Sequence, residues 1–599
     1  MSTIQNEDQR VLRGVSRGLG ASRVPSVRTV IEALDTMSTE QERGFTFYDR
    51  ELNPSFLSYA RVVREARRRG RYLRSLGVRP GARVALIISE NSDFVLTFYG
   101  AITAGLVPVP MAPPLGPRQR GYAETVVGIL QASGAEMLVT SELLAPFVEP
   151  LRQAVPKLRY VTFVQSMREN IDQEFLEWDE PFTTQPDDVC FLQFTSGSTS
   201  RPKGVIVTHG NLVANARAVM VEDFVVDPST DVMVAWLPLY HDMGLIGFVC
   251  FPLIVGVSSV LCPTLTFMFR PNSWMQLVHK HRATITFAPN FAYGLVARRQ
   301  KDVAGLDLSC LRVIGCGAEP ILADTLRLFA KTFEPAGLPP EALMPAYGMA
   351  ENTLANTFED YRQPLRTLVI DRELYEQHSV VRLLPDGSAR RSLEIVSCGK
   401  PFAGHEVAIM NKDGELLEPG HVGEIVLRGP SATRGYYGNE AATHELYTRD
   451  WMHTGDLGFV HEGNLYVSGR LKDVIIVQGR NLYPQDVEWE LEQIPGLRRG
   501  GVVAFGVPRE GGERVVIVAE TKAAVTDELR EAVEACVAQV TGAAPADVLF
   551  VSPNVVPKTS SGKVQRRKTR AAYLDGSLFR DARTPKTATP ERAIPADAE

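Results

Sequence analysis

Paired cysteines are missing from this chain. Its seven cysteines, at positions 190, 250, 262, 310, 316, 398 and 536, are dispersed, odd in number and nowhere spaced as C-x-x-C. That pattern argues against a disulfide framework and a structural zinc, and fits buried thiols in a reducing cytoplasm. Also missing is an unbroken apolar run of membrane length. The most hydrophobic stretch, residues 245–261, is interrupted by Gly247, Pro252, Gly256 and the Ser258-Ser259 pair. It therefore reads as a buried helix followed by a buried strand, with no stable membrane insertion expected. The first residues carry arginines at 10, 13, 17, 23 and 28 without an apolar core, so a leading helix is expected there and not a secretory signal. Charge of one sign is scarce as well. With 64 Lys and Arg against 70 Asp and Glu, the formal net charge is -6, which supplies no overall attraction to nucleic acid.

What is present is a globular composition, 44% hydrophobic and 22% charged over 599 residues. That length is too great for one core and predicts about three or four folding units. Residues 58–76 place Val62, Val63, Ala66, Tyr72 and Leu73 at helical spacing, predicting an amphipathic helix with arginines on its outer face. Strand and helix then alternate: 84–89, 94–104, 106–110 and 134–140. That rhythm predicts an α/β domain of layered, largely parallel sheets.

The stretch that organises the functional reading is Phe191-Leu192-Gln193-Phe194-Thr195-Ser196-Gly197-Ser198-Thr199-Ser200-Arg201-Pro202-Lys203-Gly204-Val205. A buried strand feeds a loop of hydroxyls and glycines beside one lysine. Small residues let backbone N–H groups converge on an anion, and Lys203 adds positive charge. The same composition also suits an ordinary surface turn. A P-loop NTPase motif is excluded by order, because that motif ends Gly-Lys-Ser/Thr and this one runs Lys203-Gly204-Val205.

Further strings follow. Residues 236–247 contain His241-Asp242 ahead of an apolar run suited to a lipid tunnel; 312–320 form a strand ending in Gly317-Ala318-Glu319. Tyr347-Gly348-Met349-Ala350-Glu351 comes next, then Gly435-Tyr436-Tyr437, then Trp451 to Gly458 around Asp456. Arg470-Leu471-Lys472-Asp473 precedes a C-terminal stretch that ends with Lys558-Thr559-Ser560-Ser561-Gly562-Lys563. Between them, 406–410 and 423–428 read as strands, and 526–541 as a helix stopped by Gly542.

In this order the strings resemble the motifs of the adenylate-forming superfamily, which includes acyl-CoA synthetases, luciferases and nonribosomal adenylation domains. An added, charged segment at about 358–395, with PLYHDMGLIG at 238–247 and GRNLYPQDVE at 479–488, resembles the stand-alone fatty acyl-AMP ligases. The resemblance covers residues from roughly 45 to 578. It implies a large N-terminal adenylation domain over 1–470, a small mobile α+β domain over 471–578, and a tail over 579–599 whose composition predicts disorder.

It further implies ATP and Mg2+ as cofactors, a fatty acid substrate and a cytoplasmic enzyme. Thr195, Ser196, Gly197, Ser198, Thr199 and Lys203 would hold phosphates. Gly317, Ala318, Glu319, Tyr347, Gly348, Met349, Asp456 and Arg470 would hold adenine and ribose. His241 would sit at the acyl pocket, Glu351 would carry the metal, Lys472 would be the hinge and Lys563 the catalytic lysine. The product would pass to the phosphopantetheine thiol of a separate acyl carrier protein. Coenzyme A is the alternative acceptor, and a nucleotide- or lipid-binding pseudoenzyme the alternative class. Retention of both Glu351 and Lys563 argues against the latter.

Overall fold

The computed structural model describes residues 11–13, 26–114, 122–171, 182–195, 202–300, 302–385, 387–477, 479–509, 512–559 and 562–583. Two parallel-cored sheets make the layers of the large domain. In the nine-stranded sheet, Gly44–Tyr48, Ser258–Leu261, Val232–Ala235, Ile285–Pro289, Val313–Gly317 and Leu343–Gly348 run parallel. Antiparallel strands Pro54–Ser58 and Ala355–Phe358 flank them. A four-stranded parallel sheet is built from Val107–Pro110, Arg83–Ile87, Met137–Thr140 and Tyr160–Phe163. Their side chains are apolar on both faces, as expected where helices cover each side. A six-stranded antiparallel sheet, which includes Glu406–Met410, Gly423–Arg428, Trp451–His461 and Asn464–Arg470, completes the domain.

A short 3-10 turn, Leu471–Asp473, leads from that last strand into the small domain. There, strands Leu497–Arg509, Gly512–Thr521 and Asp547–Val551 pack against helices Pro484–Leu491, Asp527–Thr541 and Arg566–Leu574. The helix Asp527–Thr541 follows from local chemistry. Thr526 Oγ1 accepts from Leu529 N, acidic residues fill the first turn, and Gly542 takes φ 77° at the stop.

Several expectations need correction. At the N-terminus, Val11–Arg13 is a strand antiparallel to Glu406–Met410, so long-range pairing replaces the expected helix. In the helix Tyr59–Ser75, Arg69 lies on the same stripe as Val62, Ala66 and Leu73 and is buried at 3% exposure. Its guanidinium reaches Asp93 at 2.7 Å and the Thr97 hydroxyl at 2.8 Å. A paired arginine can occupy an inner face because its partner offsets the cost of desolvation. Close approach of the next helix, Asn91–Thr103, depends on Gly70, where a Cβ would lie 2.7 Å from the Gly100 carbonyl.

The added segment begins after Phe358, which closes a strand of the nine-stranded sheet. It forms a hairpin, Thr367–Asp371 with Ser392–Val396, and encloses a helix, Arg372–His378, that the sequence pattern did not suggest. Asp371 caps that helix by accepting from the N–H groups of Glu373 and Leu374. Ile370 and Tyr375 are buried against Phe459, Tyr466 and Tyr483, whereas Val369 and Leu383 are exposed at 41% and 46%. A turn spans Ser577–Asp581, and Arg583 N donates to Phe550 O at 2.7 Å. Residues 584–599 fall outside the described range.

Candidate active site

The strands flanking the stretch expected to bind an anion form an antiparallel pair. Val189–Thr195 pairs antiparallel with Lys203–Thr208, setting Thr195 opposite Lys203. Ser196, Gly197, Ser198 and Thr199 lie outside the described residues. Lys203 Nζ stands 4.8 Å above the ring of Tyr436, a cation–π contact. The Tyr436 hydroxyl donates to Glu351 Oε1 at 2.7 Å. One tyrosine therefore links the lysine of the hairpin to the carboxylate expected to carry metal. Sequence reading passed over Tyr436, although it stands in the Gly435-Tyr436-Tyr437 string between recognised motifs.

On the adenine side, Val313–Gly317 ends in Ala318, held at φ 69°. That left-handed conformation is strained for a residue with a Cβ, and such strain concentrates at functional sites. A Cβ at Gly317 would meet the Ala346 carbonyl at 2.9 Å, and one at Gly348 would meet the Leu354 carbonyl at 2.1 Å. Both positions demand glycine for backbone approach. Tyr347 donates its hydroxyl to Asp456 Oδ2 at 2.8 Å, and Arg470 Nε lies 3.3 Å from Asp456 Oδ1. Burial raises the pKa of Asp456, opposed by Arg470 and Tyr347. Glu319 accepts from Phe291 N at 2.5 Å, and burial raises its pKa too.

Lys563 arrives from the small domain on a closed turn. Thr559 N donates to Lys563 O at 2.7 Å, and Lys563 N donates to Thr559 Oγ1 at 3.0 Å. Burial holds its ammonium below the ordinary lysine pKa, against the pull of Asp242, Glu319 and Asp456. His241 Nδ1 and Asp242 Oδ1 are 2.5 Å apart. Burial opposes ionisation of Asp242, yet His241 and Lys563 outweigh it and leave the carboxyl below its usual pKa.

All of the described candidates line one cleft of about 3220 Å³: Thr195, Lys203, His241, Gly317, Ala318, Glu319, Tyr347, Gly348, Met349, Glu351, Asp456, Arg470, Lys472 and Lys563. A pocket for one ligand occupies roughly 300–1,000 Å³, so this cleft has room for a nucleotide, a second substrate and an entry route. One arm is apolar and includes Met220, Phe224, Phe248, Phe251, Phe287 and Phe358. Phe224 stacks on Phe358 at 5.2 Å, and Phe287 lies 5.7 Å from Phe358.

The donor set fits magnesium brought with a nucleotide. Among the described residues no group of three or more His, Cys, Asp or Glu side chains is placed to hold a metal. Glu351 Oε1 is held by the Tyr436 hydroxyl at 2.7 Å, which orients the carboxylate. One oriented carboxylate with phosphate oxygens and water is a common magnesium arrangement. Among the described residues no helix is long and apolar enough to cross a membrane.

Residues 39–437 match the family model described as AMP-binding enzyme. The chain belongs to the AMP-binding enzyme family. A relative from Caulobacter vibrioides, named a putative acyl-CoA synthetase, is 36% identical over 92% of this chain and 96% of its own length. The medium-chain-fatty-acid–[acyl-carrier-protein] ligase JamA of Moorena producens is 32% identical, covering 92% of this chain and 96% of its own length. Among solved structures, one from a study of fatty acyl-adenylate ligases from E. coli and L. pneumophila superposes with a TM-score of 0.85. It is 34% identical over 93% of this chain and 99% of its own. The layered α/β architecture with a smaller C-terminal domain is that of these adenylate-forming enzymes.

Proposed function

We propose that this member of the family activates a fatty acid with ATP to an acyl-adenylate, releasing pyrophosphate, and passes the acyl group to the phosphopantetheine thiol of a separate acyl carrier protein. The observation that carries the reading is the single cleft shared by Lys563 of the small domain and Glu351, Tyr347 and Asp456 of the large one, with an apolar arm beside them.

A fatty carboxylate has a pKa near 4 and is already ionised at neutral pH, so its attack on the α-phosphorus needs no general base. The chain has to bring two anions together and meet the charge that grows on phosphoryl oxygens. Lys563 bridges the carboxylate and the α-phosphate. The hairpin from Thr195 to Lys203 holds the outer phosphates, Tyr347 stacks on adenine, and Asp456 accepts the ribose hydroxyl protons. Glu351 holds magnesium, which when bound neutralises phosphate charge and polarises the phosphoryl oxygens. The Phe-lined arm excludes water from the mixed anhydride.

Transfer to a thiol needs Lys563 withdrawn, by rotation of the small domain about Lys472. Contacts between the added segment and the small domain support a protein-borne thiol over free coenzyme A. Arg391 Nη2 donates to Val540 O at 2.6 Å, Arg372 lies 3.8 Å from Asp486, and Tyr375 packs on Tyr483 at 5.2 Å. They favour the present arrangement, so leaving it requires compensating contacts that a docked protein can supply. JamA's name supports a carrier acceptor, and the Caulobacter relative's name supports coenzyme A.

Fatty acid and ATP should yield pyrophosphate and enzyme-bound acyl-adenylate, and Lys563→Ala should cut this to a small residual rate. Intact protein without pyrophosphate release would overturn the enzyme reading. Bound adenylate discharged by coenzyme A as fast as by phosphopantetheinylated carriers would overturn the acceptor.

A further inference from the structure

We infer that Arg566 is a positioning residue for adenylation, clamping the lysine-bearing turn to the chain just past Lys472 and to the helix Pro484–Leu491. This rests on the role given to Lys563 above.

Arg566 opens the helix Arg566–Leu574, three residues after Lys563. A cation there opposes the helix dipole, and Arg567 and Lys568 beside it bring no acidic compensation to the first turn. Its place is explained by what its guanidinium meets. Nη1 donates to Asp473 Oδ2 at 2.6 Å, and Nη2 donates to Glu488 Oε1 and Oε2 at 2.9 and 2.8 Å. Nε donates to Ala504 O at 3.0 Å, and Glu488 Oε1 also accepts from Ala504 N at 2.9 Å. The side chains of Arg566, Asp473 and Glu488 are 15–17% exposed, so water screens these charge-assisted bonds little. Only a planar fork of donors satisfies all three partners at once; a lysine would meet one.

The clamp joins three stations: the 3-10 turn Leu471–Asp473, the helix Pro484–Leu491 and the strand Leu497–Arg509. The lysine turn is braced internally by the Thr559–Lys563 bonds and by Gln565 N to Pro557 O at 2.9 Å. It therefore moves as a unit, and its freedom relative to the hinge turn and the rest of the small domain is what Arg566 removes. Orientation of the small domain at Lys472 thereby becomes position of the Lys563 ammonium.

The test is a double-mutant cycle in the full chain, reading pyrophosphate release with fatty acid and ATP. Arg566→Gln and Arg566→Lys should each lower kcat about 100-fold, the cost of misplacing a reacting group by about 1 Å, with KM for both substrates within about threefold. In a Lys563→Ala background, Arg566→Gln should remove nothing further from the residual rate. Unchanged kcat, or losses that multiply in the double variant, would overturn the clamp. If Arg566→Gln does not fold, Asp473→Asn breaks one arm and should cost about tenfold in kcat; an unaltered rate there overturns the inference equally. Full adenylation by Lys563→Ala would instead bring down the reading of the site itself.

Discussion

Cutting the tie between Arg391 and the small domain should change which thiols discharge the adenylate. Arg391 Nη2 donates to Val540 O at 2.6 Å and to Gln539 O at 3.3 Å, at the C-terminal end of the helix Asp527–Thr541. That end carries partial negative charge, and a cation there contributes 0.3–1 kcal/mol, more when desolvated. Hydrogen bonds to charged groups reach about 1.5–3 kcal/mol, but Arg391 is exposed, so screening brings the figure down to about 1 kcal/mol. Loss of about 1 kcal/mol from the closed arrangement shifts its ratio to the rotated one about fivefold. Single-turnover discharge of enzyme-bound acyl-adenylate by coenzyme A is the assay. Arg391→Ala should speed it about fivefold at low salt, with less effect at high salt, while adenylation is unaffected. An unchanged discharge rate, or discharge and adenylation rising together, would refute the reasoning.

Tyr436→Phe removes the hydroxyl bonded to Glu351 and should raise the magnesium concentration needed for half-maximal adenylation about fivefold, the worth of roughly 1 kcal/mol, as read from pyrophosphate release against Mg2+. Phe224→Ala deletes one ring of the stack that includes Phe287 and Phe358, so the best substrate in a panel of saturated acids should become longer. The Asp486 carboxyl has its pKa raised to about 7 by burial, opposed by Arg372. A raised pKa means stability is present below the unfolded value near 4 and is lost as pH rises through about 7. Asp486→Asn should therefore melt progressively higher than the parent protein as pH goes from 4 to 8, and a difference independent of pH would refute this.

Much of the fold was legible because its signals are local. The strands Glu406–Met410 and Gly423–Arg428 occupy the runs their alternation indicated, and the helix Asp527–Thr541 begins and ends at its capping residues. Each depends on neighbours within a few positions. The strand Val11–Arg13 was not legible, since it exists only by pairing with Glu406–Met410. Nor was burial of Arg69, because an arginine's spacing does not announce that Asp93 waits on the next helix. Among candidate residues, Lys563, Glu351 and Asp456 stood out through motif strings. Tyr436 and Arg566 did not, because their significance lies in partners distant along the chain.

The sequence by itself supplied the candidate groups: the Glu351 carboxylate, the Ser/Thr/Gly-rich stretch ending at Lys203, and Lys563 far along the chain. Only tertiary structure decided that Tyr436 meets Glu351 85 residues away, that Tyr347 meets Asp456 109 away, and that Arg566 meets Asp473 93 away. Such contacts rest on packing of separate elements, where the entropy of closing a long loop is offset by burial summed over whole sheets. No single residue pair carries that sum.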